Sequence, residues 1–325
     1  MPAAWGASPL SSCGTRPAAE EARTLGIEDI RTICVVGSGT MGAQIAQQSA
    51  LGDYDVWLTD VSDEQLKKAV ESNRRLIMRR VDKGQMTGDE AAAALKRVRT
   101  TTVLEEAAGQ ADFVFEAIVE RLQPKRELFA RLDGAVPGRT ILATNSSTIP
   151  ISKLADATKR PDRCVNTHFF HPVLVMQLCE VGRGPATSNE TVQTTMELIR
   201  RIGRVPVLLE KEIDGFIVNR ILHAASQEAM RLYAGGYADF ADIDLAVEKG
   251  LNWPMGPFKL ADFSGVDITY NARREKFEGS GDEHDRPAEF LRRMVEENRL
   301  GRKTGVGFYD YTDGGVTPAE DPRKL

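Results

Sequence analysis

Ile33-Cys-Val-Val-Gly-Ser-Gly-Thr-Met-Gly42 decides the fold of this chain. Its four leading apolar residues predict a buried parallel strand, and a G-x-G-x-x-G turn follows directly. The next residues, Ala43–Leu51, have the apolar spacing of a helix that ends at Gly52. A second apolar run, Val56–Leu58, comes just before Asp60. Strand, glycine-rich turn, helix, strand and acidic residue occur within about 30 residues, which predicts a dinucleotide-binding βαβ unit.

Each glycine of this turn has its own purpose. Gly37 allows the tight turn, Gly39 lets the backbone approach a diphosphate, and Gly42 lets the helix pack closely on the strand. The exposed N–H groups at the helix start attract the diphosphate. The residues predicted to bind the cofactor are therefore Gly37, Ser38, Gly39, Thr40, Met41, Gly42 and Asp60. Because the Asp60 carboxylate would bind the adenosine ribose hydroxyls and repel a 2′-phosphate, the pattern favours NAD over NADP.

A second informative segment contains a histidine and a glutamate. Two apolar runs, Cys164–Phe170 and Met176–Val181, predict strands that fold back on each other at a turn around Pro172. His168 and Glu180 would then lie close enough for their side chains to meet. A carboxylate that binds one ring nitrogen fixes the histidine tautomer, which suits a general base for an alcohol proton. The alternative is a half-buried histidine paired with a structural glutamate.

Polar residues also follow two other predicted strands. Phe113–Ile118 ends next to Glu120, and Thr140–Ala143 continues into Thr144-Asn-Ser-Ser-Thr148. In open α/β sheets, ligands bind beyond the carboxyl ends of the strands. These side chains could therefore hydrogen-bond a substrate oxygen, or the hydroxyls could simply cap the following helix.

A helix predicted over Ser62–Lys83 carries a basic surface. Ser62 and Gln65 have the pattern of a capping box at its start, and Thr87 and Glu90 repeat that pattern at the next helix. The basic residues are Lys67, Lys68, Arg74, Arg75, Arg79, Arg80 and Lys83. They could bind the phosphates of a large anionic ligand or form an ordinary solvated face, and the sequence leaves both open.

Composition sets the class of protein. The chain has 325 residues, 27% of them charged, and a formal net charge of −5, which suits a soluble protein without a nucleic-acid partner. It lacks an apolar run of about 18 residues, so a membrane partner is not expected. The cysteines lack the spacing of a metal site or a disulfide framework, which indicates reduced thiols, a cytoplasmic location and no bound metal. They are Cys13, Cys34, Cys164 and Cys179.

The predicted architecture is α/β: a Rossmann-like doubly wound sheet domain followed by an all-helical C-terminal domain. The NAD-binding Rossmann domain would cover residues 28–212, and the helical domain would cover 213–315. Residues 1–27 lack periodicity and are rich in Ala, Ser, Pro and Gly, which predicts a disordered extension. Residues 316–325 are expected to form a loose tail.

Seven motifs in order make the chain resemble a known family. It is similar to the short-chain L-3-hydroxyacyl-CoA dehydrogenases, which include 3-hydroxybutyryl-CoA dehydrogenase, over nearly all of residues 28–311. The motifs are Gly37-Ser-Gly-Thr-Met-Gly-Ala43, Glu116-Ala-Ile-Val-Glu120, Thr144-Asn-Ser-Ser-Thr148, His168-Phe-Phe-His-Pro172, Asp214-Gly-Phe-Ile-Val-Asn-Arg220, Pro254-Met-Gly-Pro-Phe258 and Gly301-Arg-Lys-Thr-Gly-Val-Gly-Phe-Tyr309.

The resemblance implies an activity and the residues that perform it. The chain would interconvert (S)-3-hydroxyacyl-CoA and 3-ketoacyl-CoA by hydride exchange with NAD. His168 would be the catalytic base, Glu180 would orient it, and Ser147 and Asn219 would hydrogen-bond the substrate. Further positions implied to line the NAD site are Glu120, Lys125, Ser147, His171 and Lys303. Lys83 and Ser147 would contact coenzyme A, and the helical domain would form a homodimer.

One departure from the family and three alternatives bear on the substrate. The family usually has Asn where this chain has His171, and an imidazole is larger than an amide and can titrate. A 6-phosphogluconate-like β-hydroxyacid dehydrogenase would need a lysine base in a G-x-x-x-K helix, which Asp214–Arg220 lacks. A related NAD enzyme for a free 3-hydroxy acid or another hydroxy compound stays open. So does a binding protein such as the lens crystallin relatives, although an intact His168 and Glu180 argue against it.

Overall fold

The computed structural model describes residues 26–325. These residues form two compact units, of which the first ends at Ile217 and the second begins at Val218. The predicted N-terminal extension, 1–27, lies outside the described residues except for its last two positions. Among residues 26–325, no helix combines the length and the apolar character that crossing a membrane requires.

An eight-stranded sheet forms the centre of the first unit. Its strands are β1 (Thr32–Val36), β2 (Asp55–Thr59), β3 (Val98–Thr101), β4 (Phe113–Glu116), β5 (Ile141–Thr144), β6 (Cys164–Phe169), β7 (Leu178–Gly182) and β8 (Val205–Leu209). The spatial order is β3-β2-β1-β4-β5-β6-β7-β8. All neighbouring strands are parallel except β6 and β7, which are antiparallel.

Helices cover both faces of this sheet. They are α1 (Thr40–Leu51), α2 (Asp63–Asp82), α3 (Gly88–Lys96), α4 (Leu104–Ala108), α5 (Leu122–Ala135), α6 (Ser152–Ala155) and α7 (Asn189–Arg201). Because successive side chains of a strand point to opposite faces, β1 contributes Ile33 and Val35 to one apolar cluster and Cys34 and Val36 to another. This two-sided core confirms the doubly wound sheet predicted from the sequence.

The sequence did not predict β3 and α4. β3 reads Val-Arg-Thr-Thr, and its polar side chains lack the apolar run of a buried strand. It can be polar because it lies at the edge of the sheet, where only β2 pairs with it.

At the starts of α2 and α3, Ser62 accepts from the Gln65 N–H, and Thr87 and Glu90 form a complete capping box.

The second unit is mainly helical, as predicted. Its helices are α8 (Phe216–Ala234, which begins in the first unit), α9 (Phe240–Gly250), α10 (Pro257–Ser264), α11 (Val266–Ser280) and α12 (Glu289–Glu296). The core is aromatic, because the buried Tyr233 ring contacts Phe240, Phe258 and Phe290 edge to face.

The end of the chain contains the only regular element of the second unit that is not helical, counted over the described residues. β9 (Tyr309–Asp310) and β10 (Thr317–Pro318) form a two-residue antiparallel pair. In the segment expected to be loose, Arg323 donates to the Tyr233 carbonyl and pairs with Asp239 and Asp321. The contacts with Tyr233 and Asp239 could not be predicted from the sequence because these residues lie 90 and 84 positions away.

Candidate active site

His168 and Glu180 lie directly opposite each other on β6 and β7. Antiparallel partners present neighbouring side chains on the same face, and His168 Nδ1 lies 2.9 Å from Glu180 Oε2. Both side chains are buried, with His168 7% exposed. Within residues 26–325, Nε2 makes no hydrogen bond, so this nitrogen remains available to exchange a proton with a ligand. The predicted strand pair therefore brings the two residues together.

Two aromatic rings and one backbone N–H complete the surroundings of this pair. Phe170 lies 4.7 Å from the imidazole centroid at 58°, and Phe216 lies 4.7 Å from it at 23°. The Ile217 N–H donates to Glu180 Oε1 at 3.0 Å, so both carboxylate oxygens are bound. Sequence reasoning did not identify Phe216 as part of the site. The signal was its place after Gly215, between the sheet and a helix, in a motif that carried the family resemblance.

Glu120 holds the turn that follows β5. Its Oε1 accepts from the Ser147 N–H at 3.1 Å, from the Thr148 N–H at 3.1 Å and from both the Ser146 and Thr148 hydroxyls. Partial burial raises the pKa of Glu120, but these hydrogen bonds and the charge of Lys125 outweigh it and lower the pKa overall. Glu120 is therefore an anion that fixes this turn and leaves the Ser147 hydroxyl without a hydrogen bond inside residues 26–325.

Lys125 lies under Glu120 and is only 1% exposed. Its ammonium binds Glu116 Oε1 at 2.6 Å and Glu120 Oε2 at 3.2 Å, with the Ile118 carbonyl at 3.5 Å. Glu116 also accepts from the Thr144 hydroxyl at 2.6 Å. The ammonium of Lys125 thus has two hydrogen bonds and one further ion pair. Lys125 is therefore paired with Glu116 and Glu120, and its place in the lining of the NAD site stays a prediction.

The glycine-rich turn has the shape that a dinucleotide requires. A Cβ at Gly37 would lie 2.5 Å from the Ala117 carbonyl oxygen, and a Cβ at Gly42 would lie 1.9 Å from the Gly37 oxygen. A Cβ at Gly39 would meet nothing within 4 Å, so the space beside the start of α1 is open. Two close approaches and one open position match the three glycine roles of a dinucleotide-binding turn. The turn therefore fits the diphosphate of NAD.

Asp60 lies at the end of β2 and is already fixed by the turn. Its Oδ2 accepts from the Ser38 N–H at 2.7 Å and the Ser38 hydroxyl at 2.9 Å, and its Oδ1 accepts from the Ser62 N–H at 3.1 Å. Ser38, which the sequence assigned to the cofactor, thus donates both its N–H and its hydroxyl to Asp60. Thr40 and Met41 begin α1, where N–H groups are directed beyond the helix start.

The remaining predicted residues are distributed over both units. His171 is exposed and lies two residues after the end of β6, and Lys83 is exposed at the end of α2. Asn219 lies on α8 in the second unit. Lys303, also in the second unit, pairs with Asp267 at 2.5 Å. Cys34, Cys164 and Cys179 are buried thiols, whereas Cys13 lies outside the described residues.

Family models account for nearly the whole described chain. Residues 32–213 match the NAD binding domain of 3-hydroxyacyl-CoA dehydrogenase. Residues 215–311 match the C-terminal domain of the same family.

Individual relatives agree with these models. The chain is 40% identical to the mitochondrial hydroxyacyl-coenzyme A dehydrogenase of Homo sapiens, covering 87% of this chain and 91% of that protein. A solved (S)-3-hydroxybutyryl-CoA dehydrogenase from Ralstonia eutropha superposes with a TM-score of 0.80 and 37% identity, covering 87% of this chain and 99% of the other. A solved diketoreductase that acts on dicarbonyl compounds gives a TM-score of 0.78 and 32% identity, covering 89% and 100%.

Proposed function

The chain belongs to the 3-hydroxyacyl-CoA dehydrogenase family, and we propose that it interconverts (S)-3-hydroxyacyl-CoA and 3-ketoacyl-CoA with His168 as the acid–base group. It is an NAD-dependent oxidoreductase that acts on a CH–OH group. The observation that supports the proposal most directly is the buried pair of His168 Nδ1 and Glu180 Oε2, 2.9 Å apart.

In the proposed oxidation, His168 Nε2 accepts the proton of the 3-hydroxyl group as the carbonyl forms. When bound, NAD supplies the acceptor for the hydride that leaves C3. The Glu180 carboxylate stabilises the imidazolium and keeps Nε2 directed toward the ligand. In reduction, the imidazolium returns the proton to the carbonyl oxygen. A positioned histidine of this kind contributes about two to four powers of ten in rate.

In this proposal, polar side chains of the protein hydrogen-bond the substrate oxygen. The Ser147 hydroxyl donates to the oxygen, and its backbone is held in place by Glu120, 3.1 Å from the Ser147 N–H. The family resemblance implies Asn219, on α8, as a second neutral donor. Neutral donors suit this role because they can bind the oxygen both as a hydroxyl and as a carbonyl.

Two further elements of the proposal concern partners. Lys83 and the basic side chains of α2 would bind the phosphates of coenzyme A. We also propose a homodimer formed by the second unit, because large apolar side chains on its helices are exposed. They include Ile221, Leu245, Leu251, Phe263 and Ile268. Exposed apolar surface on this scale is typical of an interface.

A second candidate function is reduction of a free keto compound without coenzyme A. The similarity to a diketoreductase supports it, as does His171 where the family usually has Asn. Both functions use the same base, so they differ only in the carrier of the keto group.

The test is NADH oxidation by the purified full chain against acetoacetyl-CoA, longer 3-ketoacyl-CoAs and free keto acids. We expect the highest kcat/KM with a 3-ketoacyl-CoA. A free keto acid with a higher kcat/KM than every thioester would replace the first function with the second. Failure to oxidise NADH with any of these compounds would overturn both.

A further inference from the structure

Phe216 touches the proposed base, yet the mechanism above gives it no part. Its ring stacks on His168 with centroids 4.7 Å apart and planes 23° apart, and the side chain is 6% exposed. We propose that Phe216 is a positioning residue for His168, because one backbone turn places its aromatic face on the imidazole and the next N–H on Glu180. This inference rests on the proposed function of His168.

The backbone of Phe216 has a conformation that a bulky side chain rarely adopts. Its φ is 51°, and it follows Gly215 with a φ of 76°. A positive φ crowds Cβ against the backbone carbonyl, so glycine or asparagine usually fills such positions. Residues that keep an unfavourable conformation are held by their surroundings and concentrate at functional sites. Phe216 therefore retains its ring at a position where glycine or asparagine would be under less strain.

The strand opposite the ring is shaped to admit it. Gly182 is the last residue of β7, and a Cβ there would lie 3.2 Å from Cε1 of Phe216 and 3.1 Å from Cβ of Asn166. Such distances are tighter than ordinary van der Waals contact, so a larger residue at Gly182 would displace the ring of Phe216 or the side chain of Asn166. The stack of Phe216 on His168 thus depends on the small residue at Gly182 as well as on the backbone conformation of Phe216.

The same turn also fixes the carboxylate. Ile217, the next residue, donates its N–H to Glu180 Oε1 at 3.0 Å, while Glu180 Oε2 lies 2.9 Å from His168 Nδ1. This N–H belongs to the first turn of α8, where N–H groups lack helical partners and favour an anion. One turn of backbone therefore sets the face of the imidazole and the orientation of its carboxylate.

The stack has a consequence that packing alone would not have. After His168 accepts the substrate proton, the imidazolium lies against the negative face of an aromatic ring, which favours the charged form. An aliphatic side chain of similar size would fill the space without that attraction. The pH dependence of turnover therefore distinguishes positioning and charge stabilisation from simple burial.

The experiment compares Phe216→Leu and Phe216→Tyr with the unsubstituted chain. We expect Phe216→Leu to lower kcat about tenfold, equivalent to about 1.4 kcal/mol, with the KM values for NADH and acetoacetyl-CoA within about twofold. The acid limb of the kcat profile for oxidation should move to lower pH, because protonated His168 is less stabilised. Phe216→Tyr keeps the ring and should restore both kcat and the profile.

Phe113→Leu is the matched control, because Phe113 is another buried ring in the first unit, at the far end of β4 from Glu116. It should lose stability while keeping kcat and the pH profile. If Phe216→Leu behaves in the same way, Phe216 is only a packing residue and the inference is wrong. Should Phe216→Leu not fold, Phe216→Met fills the space without a ring and answers the same question. A His168→Gln variant with normal turnover would instead overturn the proposed function.

Discussion

Buried carboxylates in the two units have opposite surroundings. In the first unit, Glu180 binds the imidazole of His168, a group that can take up and release a proton. In the second unit, Asp262 accepts from the N–H groups of Phe308 and Tyr309 and from the Tyr311 hydroxyl. Amide and phenol donors keep their protons near neutral pH. Burial is therefore common to both carboxylates, and the difference between them is that Glu180 has a titratable partner with an unused ring nitrogen.

Asp244 extends this contrast within the second unit. It accepts from the N–H groups of Phe258 and Lys259 and from the Tyr309 hydroxyl. A Cβ at Gly256 would lie within 2.3 Å of its carboxylate, so the glycine is required by close packing. The motif Pro254–Phe258, which carried part of the family resemblance, therefore packs closely around the Asp244 carboxylate.

The glycines of the loop that begins at Gly301 are likewise required by close packing around a buried aspartate. A Cβ at Gly301 would lie 2.3 Å from the Asp262 carbonyl oxygen, and a Cβ at Gly307 would lie 2.0 Å from its Oδ1. The loop resembles a phosphate-binding turn in composition, but its glycines allow the backbone to close around a buried aspartate. Physical context, and not composition, separates it from the turn at Gly37–Gly42.

The largest expected effect comes from removing the titratable partner in the first unit. His168→Gln should lower kcat by about two to four powers of ten, because the proton acceptor is lost while the cofactor turn is untouched. Steady-state kinetics with acetoacetyl-CoA measures the loss, and NADH binding by fluorescence serves as the control. Glu180→Gln should have a smaller effect, since the base remains. If the kcat of His168→Gln is close to that of the unsubstituted chain, the histidine partner of Glu180 does not distinguish it functionally from Asp262.

The next effect concerns stability at the buried ion pairs of the first unit. Lys125→Met should lower the free energy of unfolding by about 3–5 kcal/mol, because Glu116 would remain fully buried without its cation. Chemical denaturation measures it. Lys67→Met is the matched control, since Lys67 pairs with Asp63 at 2.7 Å but is 78% exposed, and it should cost less than about 1 kcal/mol. Equal losses in the two variants would contradict a supporting role for Lys125.

These contacts also show what the sequence could and could not predict. The fold followed from local patterns, since the strand, glycine turn and helix of residues 33–51 are contiguous. His168 and Glu180 could be paired because a short turn joins their strands. The position of Lys125 beneath Glu120 depends on how α5 packs against β4 and β5, and the aromatic stack of Phe216 depends on two adjacent positive φ angles. Neither property has a periodicity that a sequence displays.

A smaller effect should appear in the pH dependence of the second unit. Burial raises the pKa of Asp262 to about 6, against hydrogen bonds that lower it. Between its unfolded pKa near 3.8 and about 6, the folded state binds more protons than the unfolded state. The contribution of Asp262 to stability is therefore complete below about pH 4 and is lost as pH rises through about 6.

Asp262→Asn tests this dependence. The amide replaces one acceptor oxygen with a donor that faces backbone N–H groups, so the free energy of unfolding should fall by about 1–3 kcal/mol. The difference between the unsubstituted chain and the variant should shrink as pH rises from about 4 to 6, as denaturation at several pH values would show. A difference that does not shrink over this range would mean that Asp262 is already ionised in the folded state and that its burial is better compensated than its surroundings indicate.

The smallest expected effect concerns His171, the one departure from the family pattern at the site. His171 is exposed and makes no hydrogen bond within residues 26–325, so nothing in its surroundings requires an imidazole. A neutral imidazole and an amide can each donate one hydrogen bond, which predicts that His171→Asn changes kcat for acetoacetyl-CoA by less than about twofold. If His171 instead reshapes the reacting end of the site, the smaller amide should raise activity toward acetoacetyl-CoA. The kcat/KM values with acetoacetyl-CoA and with a free keto acid separate these outcomes. Unchanged values would make His171 a tolerated variation, and a raised value with acetoacetyl-CoA would add His171 to the residues that select the substrate.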